Sequence, residues 1–133
     1  MQTIAVKTHQ RAEFVEITDR VQKYVDESGL SRGAVIVYVP HTTAACTINE
    51  NADPDVVRDM LKETSRIVPF ESDYRHAEGN SDSHIKASFF GASQLILIEK
   101  GKLVLGTWQG IYFCEFDGPR DRKVHLSLMQ AAP

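Results

Sequence analysis

At 133 residues the chain has the length of one domain, 1–133, with a single sizeable core. Its composition, 42% apolar and 25% charged, is ordinary for a globular protein, and a net charge of −3 supplies no global attraction to nucleic acid or to an anionic membrane. Residues 1–7 lack a basic region followed by an apolar run, no apolar run approaches the ~20 residues that span a bilayer, and two cysteines, Cys46 and Cys114, are too few for a disulfide scaffold. The expectation is a cytoplasmic protein with reduced thiols.

Residues 2–9 alternate, with Ile4 and Val6 on one face, as in a half-buried strand. Residues 18–28 change to helical spacing through Ile17, Val21, Tyr24 and Val25; Thr18 can cap this helix and Gly29 can end it. Residues 34–39 are continuously apolar and β-branched up to Pro40, the pattern of a strand covered on both faces. Residues 47–50 read as a return to extended chain. Asp53-Pro54 starts a helix whose stripe is Val56, Val57, Met60 and Leu61 and which runs to about Arg66. A short helix over 83–90 closes at Gly91. Residues 95–98 read as a core strand turned by Gly101 into 102–105, and strands follow over 111–117 and 122–129. Strands and helices mix early and strands run together late. The reading is α+β, with mostly antiparallel packed sheets in a sandwich-like arrangement and two to three helices outside.

The most polar stretch, residues 74–86, lies between two of these elements and carries His76, Glu78, Gly79, Asn80, Ser81, Asp82, His84 and Lys86. Gly79 permits positive φ, Ser81 can cap the following helix, and free amides at the start of that helix favour an anion at Gly79, Asn80 and Ser81. Arg75, Lys86 and Arg120 can add positive charge. His41, His76 and His84 each sit at the end of a regular element beside polar groups. Three imidazoles can hold a divalent transition ion and leave one position open, although the spacing matches no short zinc signature. The alternative is three polar histidines that hydrogen-bond in turns. His9 and His125 read as exposed.

Glu50 or Glu78 can orient a histidine or act as general base. Glu115 and Asp117 share a strand face, and a structural ion pair with Arg120 or Arg122 is favoured over a catalytic role. Trp108, flanked by Gly106 and Gly110, can stack on a flat ligand, cap the core or fill a subunit contact. Cys46 reads as a buried inert thiol in preference to a nucleophile.

Three ordered blocks carry a family likeness. They are His41-Thr42-Thr43-Ala44 with Ile48-Asn49-Glu50; Tyr74-Arg75-His76 with Glu78-Gly79-Asn80-Ser81 and His84-Ile85-Lys86; and Gly101-Lys102-Leu103 with Leu105-Gly106-Thr107-Trp108-Gln109-Gly110-Ile111 and Glu115-Phe116-Asp117-Gly118-Pro119-Arg120. Over nearly the whole chain these closely resemble the YjbQ family, also named the secondary thiamine-phosphate synthase family. The resemblance implies a compact α+β fold, a homotrimer, and a metal- and anion-binding site at His41, His76 and His84 with Glu50, Asn80 and Arg120 nearby. It also implies weak thiamine-phosphate synthesis, the joining of a pyrimidine diphosphate to a thiazole phosphate.

In that reaction pyrophosphate leaves a benzylic-type carbon. Arg75, Lys86 and Arg120 would hold phosphates, Trp108 would stack on the pyrimidine, and His41, Glu50 or Glu78 would move protons. Magnesium, the usual diphosphate partner, prefers oxygen ligands, whereas three histidines suit zinc best, with manganese as an alternative. Two other readings stand beside it: a metal-dependent hydrolase or lyase of a small phosphorylated or carboxylated molecule, and a non-enzymatic trimer that binds a metal or an anion.

Overall fold

The computed structural model describes residues 1–133. The chain order is β1 (Gln2–Lys7), β2 (Glu13–Glu16), α1 (Thr18–Ser28), β3 (Gly33–Tyr38), β4 (Ala44–Glu50), α2 (Pro54–Ile67), α3 (Ser81–Phe90), β5 (Ser93–Glu99), β6 (Lys102–Leu103), β7 (Gln109–Glu115) and β8 (Asp121–Gln130). The expected α+β class holds. The strands form two antiparallel sheets: a larger one ordered β1-β8-β3-β5-β6 and a smaller one ordered β2-β7-β4.

The two sheets pack face to face. Ile4, Val6, Val35, Val37, Ile96, Ile98, Val124 and Leu126 of the larger sheet meet Ala44, Cys46, Ile111 and Phe113 of the smaller one. Alternation puts these residues on inner faces, and their burial is the main driving force for stacking the sheets. Val21 and Val25 of α1 join the same core. The far face of the smaller sheet forms a second cluster, Ala45, Tyr112 and Cys114 with Phe116, covered by Ala87 of α3 and flanked by Phe14, Val57 and Phe90. Phe14 meets Phe90 edge-on with ring centroids 5.6 Å apart.

Local signals explain most element ends. Asp53 accepts a hydrogen bond from the Asp55 amide at 2.9 Å and Pro54 opens α2, while Gly29 ends α1 with φ of +71°. Other expectations are corrected. Thr18 does not cap α1. Its hydroxyl donates to Glu16 at 2.8 Å and accepts from the Ile111 amide at 2.8 Å, which ties the helix to β7. Strand β2 has only four residues, too short for alternation to reveal it. Helix α3 begins at Ser81 rather than Ser83, and β6 stops at Leu103.

The apolar run of β5 is covered on one face only, while the outer face of β3 grades from buried Ala34 through half-buried Ile36 to exposed Tyr38. Leu95 and Leu97 stand 58% and 60% exposed, and Tyr38 and Met129 are exposed on neighbouring strands. His9 is exposed as expected, but His125 is half-buried, with its ring stacked on Tyr38 and Nδ1 2.8 Å from the Thr3 hydroxyl.

Candidate functional site

The site is set by strand register. Ala44 pairs with Glu115, so the residues before β4 and those after β7 leave the smaller sheet side by side. The first segment carries His41, Thr42 and Thr43. The second carries Asp117 and Arg120 and leads into β8. The start of α3 lies across both: Ser83 Oγ donates to the Phe116 carbonyl, and Asn80 Nδ2 donates to Asp117 Oδ2 at 2.9 Å.

Between them is a cleft of about 340 Å3. It is lined by His41, Thr42, Thr43, Glu78, Asn80, His84, Asp117, Arg120 and Arg122, with Pro40 as the single residue of hydrocarbon side chain. A separate hollow of about 470 Å3 runs from His41 and His84 along Ala87, Ser88 and Gly91.

Under the cleft sits a buried ion pair. The Arg122 guanidinium binds both Glu115 carboxylate oxygens, with Nε 2.8 Å from Oε1, and Nη2 donates to Thr43 Oγ1 at 2.8 Å. Thr8 Oγ1 donates to Glu115 Oε1 at 2.7 Å, and the Phe116 and Asp117 amides donate to Oε2 at 3.1 Å. Burial alone would raise the Glu115 pKa. The bonds from Arg122, Thr8 and the Asp117 amide, with the charge of Arg122, outweigh it and hold the carboxyl below its usual range. The Glu115 carboxylate is saturated, Arg122 keeps Nη1 without a protein partner, and the pair joins β7 to β8 across the two sheets.

Asp117 differs. It accepts from Arg11 Nη1 at 3.3 Å, from Asn80 Nδ2 and from Arg120 Nη2 at 3.0 Å. Arg120 also donates from Nε to the Asp117 carbonyl at 2.8 Å, which leaves Nη1 uncommitted on a side chain 53% exposed. Arg11, absent from the sequence reading, donates as well to Asp82 Oδ1 at 3.0 Å and Ser83 Oγ at 3.3 Å, and its guanidinium lies 4.3 Å above the Phe70 ring. It clamps the β1–β2 loop to the start of α3. No spacing pattern marks Arg11; only the pairing of β1 with β8 brings its loop there.

The His41 imidazole occupies the open edge of β8 beyond the end of β3. Its Nε2 lies 2.9 Å from the Lys123 amide nitrogen and 3.2 Å from the Lys123 carbonyl oxygen. Either tautomer uses Nε2 there, and Nδ1 is the ring nitrogen without a partner. Burial, reinforced by the charge of Arg122, lowers the His41 pKa and so favours the neutral ring. His84 faces His76 edge-on, with ring centroids 5.4 Å apart.

These positions bring together His41, Glu78, Asn80, His84 and Arg120 of the expected site. Gly79 takes φ of +79° beside them. Four expectations are corrected. Lys86 is buried and ion-paired with Asp82 at 3.1 Å, so its charge is spent inside the helix rather than on a ligand. Ser81 does not cap α3; its hydroxyl is buried and unpaired. Glu50 and Trp108 lie at the opposite end of the smaller sheet. Glu50 pairs with Gln109, the Asn51 amide donates to the Trp108 carbonyl at 2.9 Å, and six strand residues, roughly 20 Å, separate Glu50 from Ala44.

The family resemblance implies a metal ion at His41, His76 and His84. His76 and His84 stand close together, but no three histidine, cysteine or carboxylate side chains of the chain are gathered as ligands, and the Nε2 of His41 is engaged by Lys123. One chain therefore does not fit a three-histidine ion.

Comparison with known proteins gives a consistent result. The family described as "UPF0047 protein YjbQ-like" matches residues 2–131. The chain is 51% identical over 130 residues to UPF0047 protein YugU of Bacillus subtilis, covering 97% of this chain and 98% of that protein. It is 49% identical over 124 residues to UPF0047 protein MJ1081 of Methanocaldococcus jannaschii, covering 93% and 90%. A crystal structure of a YjbQ/UPF0047-family protein from Clostridium acetobutylicum superposes with a TM-score of 0.96 at 57% identity, over 97% of this chain and 100% of that one. The APE1520 protein from Aeropyrum pernix gives a TM-score of 0.93 at 34% identity, over 98% of both chains. By sequence and by fold, this chain belongs to the YjbQ/UPF0047 family.

Proposed function

We propose that the chain is an enzyme acting on a small phosphate-bearing molecule in the cleft between His41, His84 and Arg120, with a slow thiamine-phosphate-synthase-type transfer as the reaction. The observation that carries this reading is the lining of the cleft, polar at every residue but Pro40. It combines an imidazole whose neutral form is favoured, an exposed carboxylate at Glu78 and a guanidinium with a free Nη1.

In the transfer, the C–O bond between the pyrimidine methylene carbon and the diphosphate breaks, and diphosphate leaves with the electron pair. The thiazole nitrogen forms the new C–N bond to that carbon. Arg120 and the amides at the start of α3 offset charge on the departing phosphates. The bond exchange releases no proton, so His41 and Glu78 serve to hydrogen-bond and orient the two substrates. A second reading, hydrolysis or lysis of a small phosphorylated or carboxylated molecule, is favoured by one observation: Trp108, the expected pyrimidine platform, is not at the cleft. A non-enzymatic metal- or anion-binding role is the third.

The homotrimer and cytoplasmic setting belong to the same proposal. The exposed row of Leu95, Leu97 and Met129 on the larger sheet supports association between copies. Glu50 and Trp108 would enter the site only from a neighbouring chain. Zinc, or manganese or magnesium, would likewise need a donor from outside the single chain.

The test is product formation from a pyrimidine diphosphate and a thiazole phosphate, followed by mass spectrometry with metal analysis of the same sample. The reading expects product that falls at least about tenfold in Arg120→Ala and in His41→Ala. Product insensitive to His41→Ala would be contamination. No product, with no calorimetric binding of phosphate or pyrophosphate, would overturn the proposal.

A further inference from the structure

Arg11, in the loop between β1 and β2, reaches three segments of the chain with one guanidinium. Nη1 donates to Asp117 Oδ1 at 3.3 Å, just after β7. Nη2 donates to Asp82 Oδ1 at 3.0 Å and to Ser83 Oγ at 3.3 Å, at the start of α3. The guanidinium carbon lies 4.3 Å from the centroid of the Phe70 ring, in the connection between α2 and α3. All three segments supply walls of the cleft: Asp117 and Arg120, then His84, then Glu78 and Asn80. Arg11 itself is not on its wall.

The contacts make an alternating chain of charge. Lys86 Nζ donates to Asp82 Oδ2 at 3.1 Å, Arg11 bridges Asp82 and Asp117, and Arg120 Nη2 donates to Asp117 Oδ2 at 3.0 Å. Three cations and two carboxylates leave one positive charge in excess. Lys86 and Asp82 are buried, so the excess emerges at Arg120, the exposed end. Glu78, the other carboxylate on the wall, lies outside this chain.

Asp117 is the pivot. Arg120 spends both Nε and Nη2 on this one residue. A carboxylate turns easily about its last torsion, which has no sharp wells. Arg11 on Oδ1 and Asn80 on Oδ2 stop that turn. The planar fork of a guanidinium can bridge two carboxylates and a hydroxyl at once, whereas the ammonium of a lysine is a single point of charge.

We propose that Arg11 is a positioning residue for the cleft: it fixes the Asp117 carboxylate, and through it the pose of Arg120. The ligand that profits rests on the phosphate reading; the pose of Arg120 is a property of the free protein.

The test uses the full chain and inorganic pyrophosphate. Arg11→Lys keeps the charge and loses the fork. Arginine Nε–Hε NMR signals report the pose and calorimetry reports the affinity. In the ligand-free wild type, the Arg120 Nε–Hε should give a resolved, slowly exchanging signal, and Arg11→Lys should move it to the position of solvent-exposed arginines. The same change should weaken pyrophosphate binding at least about fivefold. In an Arg120→Ala background it should alter affinity less than about twofold. That non-additivity separates positioning from a general loosening of the cleft, which would weaken both backgrounds alike. Phe70→Leu removes only the ring beside Arg11; it is the milder variant and should move both readouts in the same direction.

Unchanged affinity in Arg11→Lys, or an equal fall in both backgrounds, would overturn the positioning role and leave the phosphate reading standing. An Arg120 signal already disordered in the wild type would overturn it as well, whether or not any Arg11 variant folds. If pyrophosphate failed to bind the wild type while Arg11→Lys still released the Arg120 signal, the positioning role would stand and the phosphate reading would fall. No binding together with an unchanged Arg120 signal would remove both.

Discussion

Two acid–arginine pairs lie within eight residues of each other and have opposite characters. Glu115 and Arg122 are buried, at 0% and 5% exposure, and every strong contact of the carboxylate is internal. Asp117 and Arg120 border the cleft, and Arg120 keeps a free Nη1. The sequence offers both acids on one strand face and both arginines just beyond it. What separates the pairs is burial and the full bonding of the Glu115 carboxylate: Arg122 also keeps Nη1 without a partner, but its side chain is 5% exposed against 53% for Arg120. A buried charge whose bonding capacity is met inside the protein is structural, while one facing a polar space with capacity to spare can serve a ligand.

The strongest way to break this comparison is Glu115→Ala. It leaves Arg122 buried without a counter-charge and should cost about 3–5 kcal/mol in urea unfolding. The double change Glu115→Leu with Arg122→Met should recover much of that loss. A single-variant cost below about 1 kcal/mol would show that the pair is not a structural element.

Next is Gly118→Ala, where the β7–β8 connection passes the β1–β2 loop. An added Cβ would stand 2.2 Å from the Gln10 carbonyl oxygen and 2.8 Å from Glu115 Cγ. Such overpacking should cost about 2–3 kcal/mol, measurable as a lowered thermal midpoint.

Acid should expose the same pair. Because the folded Glu115 pKa is depressed, its contribution is fully present above the unfolded value of about 4.3 and is lost as pH falls through the folded value. Wild-type stability should therefore drop on acidification below about pH 4.3, and a Glu115→Gln variant should show a flatter profile over that window. Equal slopes would sink the assignment.

Arg120→Ala sharpens the other side. It should change stability by no more than about 1 kcal/mol, because the side chain is half exposed. It should nevertheless weaken phosphate binding about tenfold by calorimetry. The smallest expected effect is at the thiols. Burial pushes Cys46 up to about 12 and Cys114 well above its ordinary value, so neither should react with a thiol reagent in the native protein at pH 8.

Much of the fold was legible because its signals are local. The Asp53-Pro54 start of α2, the Gly29 end of α1 and the alternation of β1 and β8 need only neighbours in the chain. The apolar run of 34–39 reads as covered on both faces and 95–98 as a core strand, yet Tyr38, Leu95 and Leu97 are exposed, because an unbroken apolar run does not say which face is covered. Part of the site was legible through residue type: His41, Glu78, Asn80, His84 and Arg120 do share the cleft. Lys86, Glu50, Trp108 and Arg11 were not, since their roles depend on partners far away in sequence.

The amino-acid order by itself determined the element types, the α+β class and the polar character of the segment from Tyr74 to Lys86, because periodicity and capping act over a few residues. Tertiary structure alone decided which acids are saturated and which face the cleft. It placed Trp108 at the far end of the smaller sheet, and it left Asn80 Oδ1 and Ser81 Oγ buried without a hydrogen-bond partner. Those outcomes depend on the register of β4 with β7 and of β1 with β8, which long-range burial sets and no short stretch of sequence encodes.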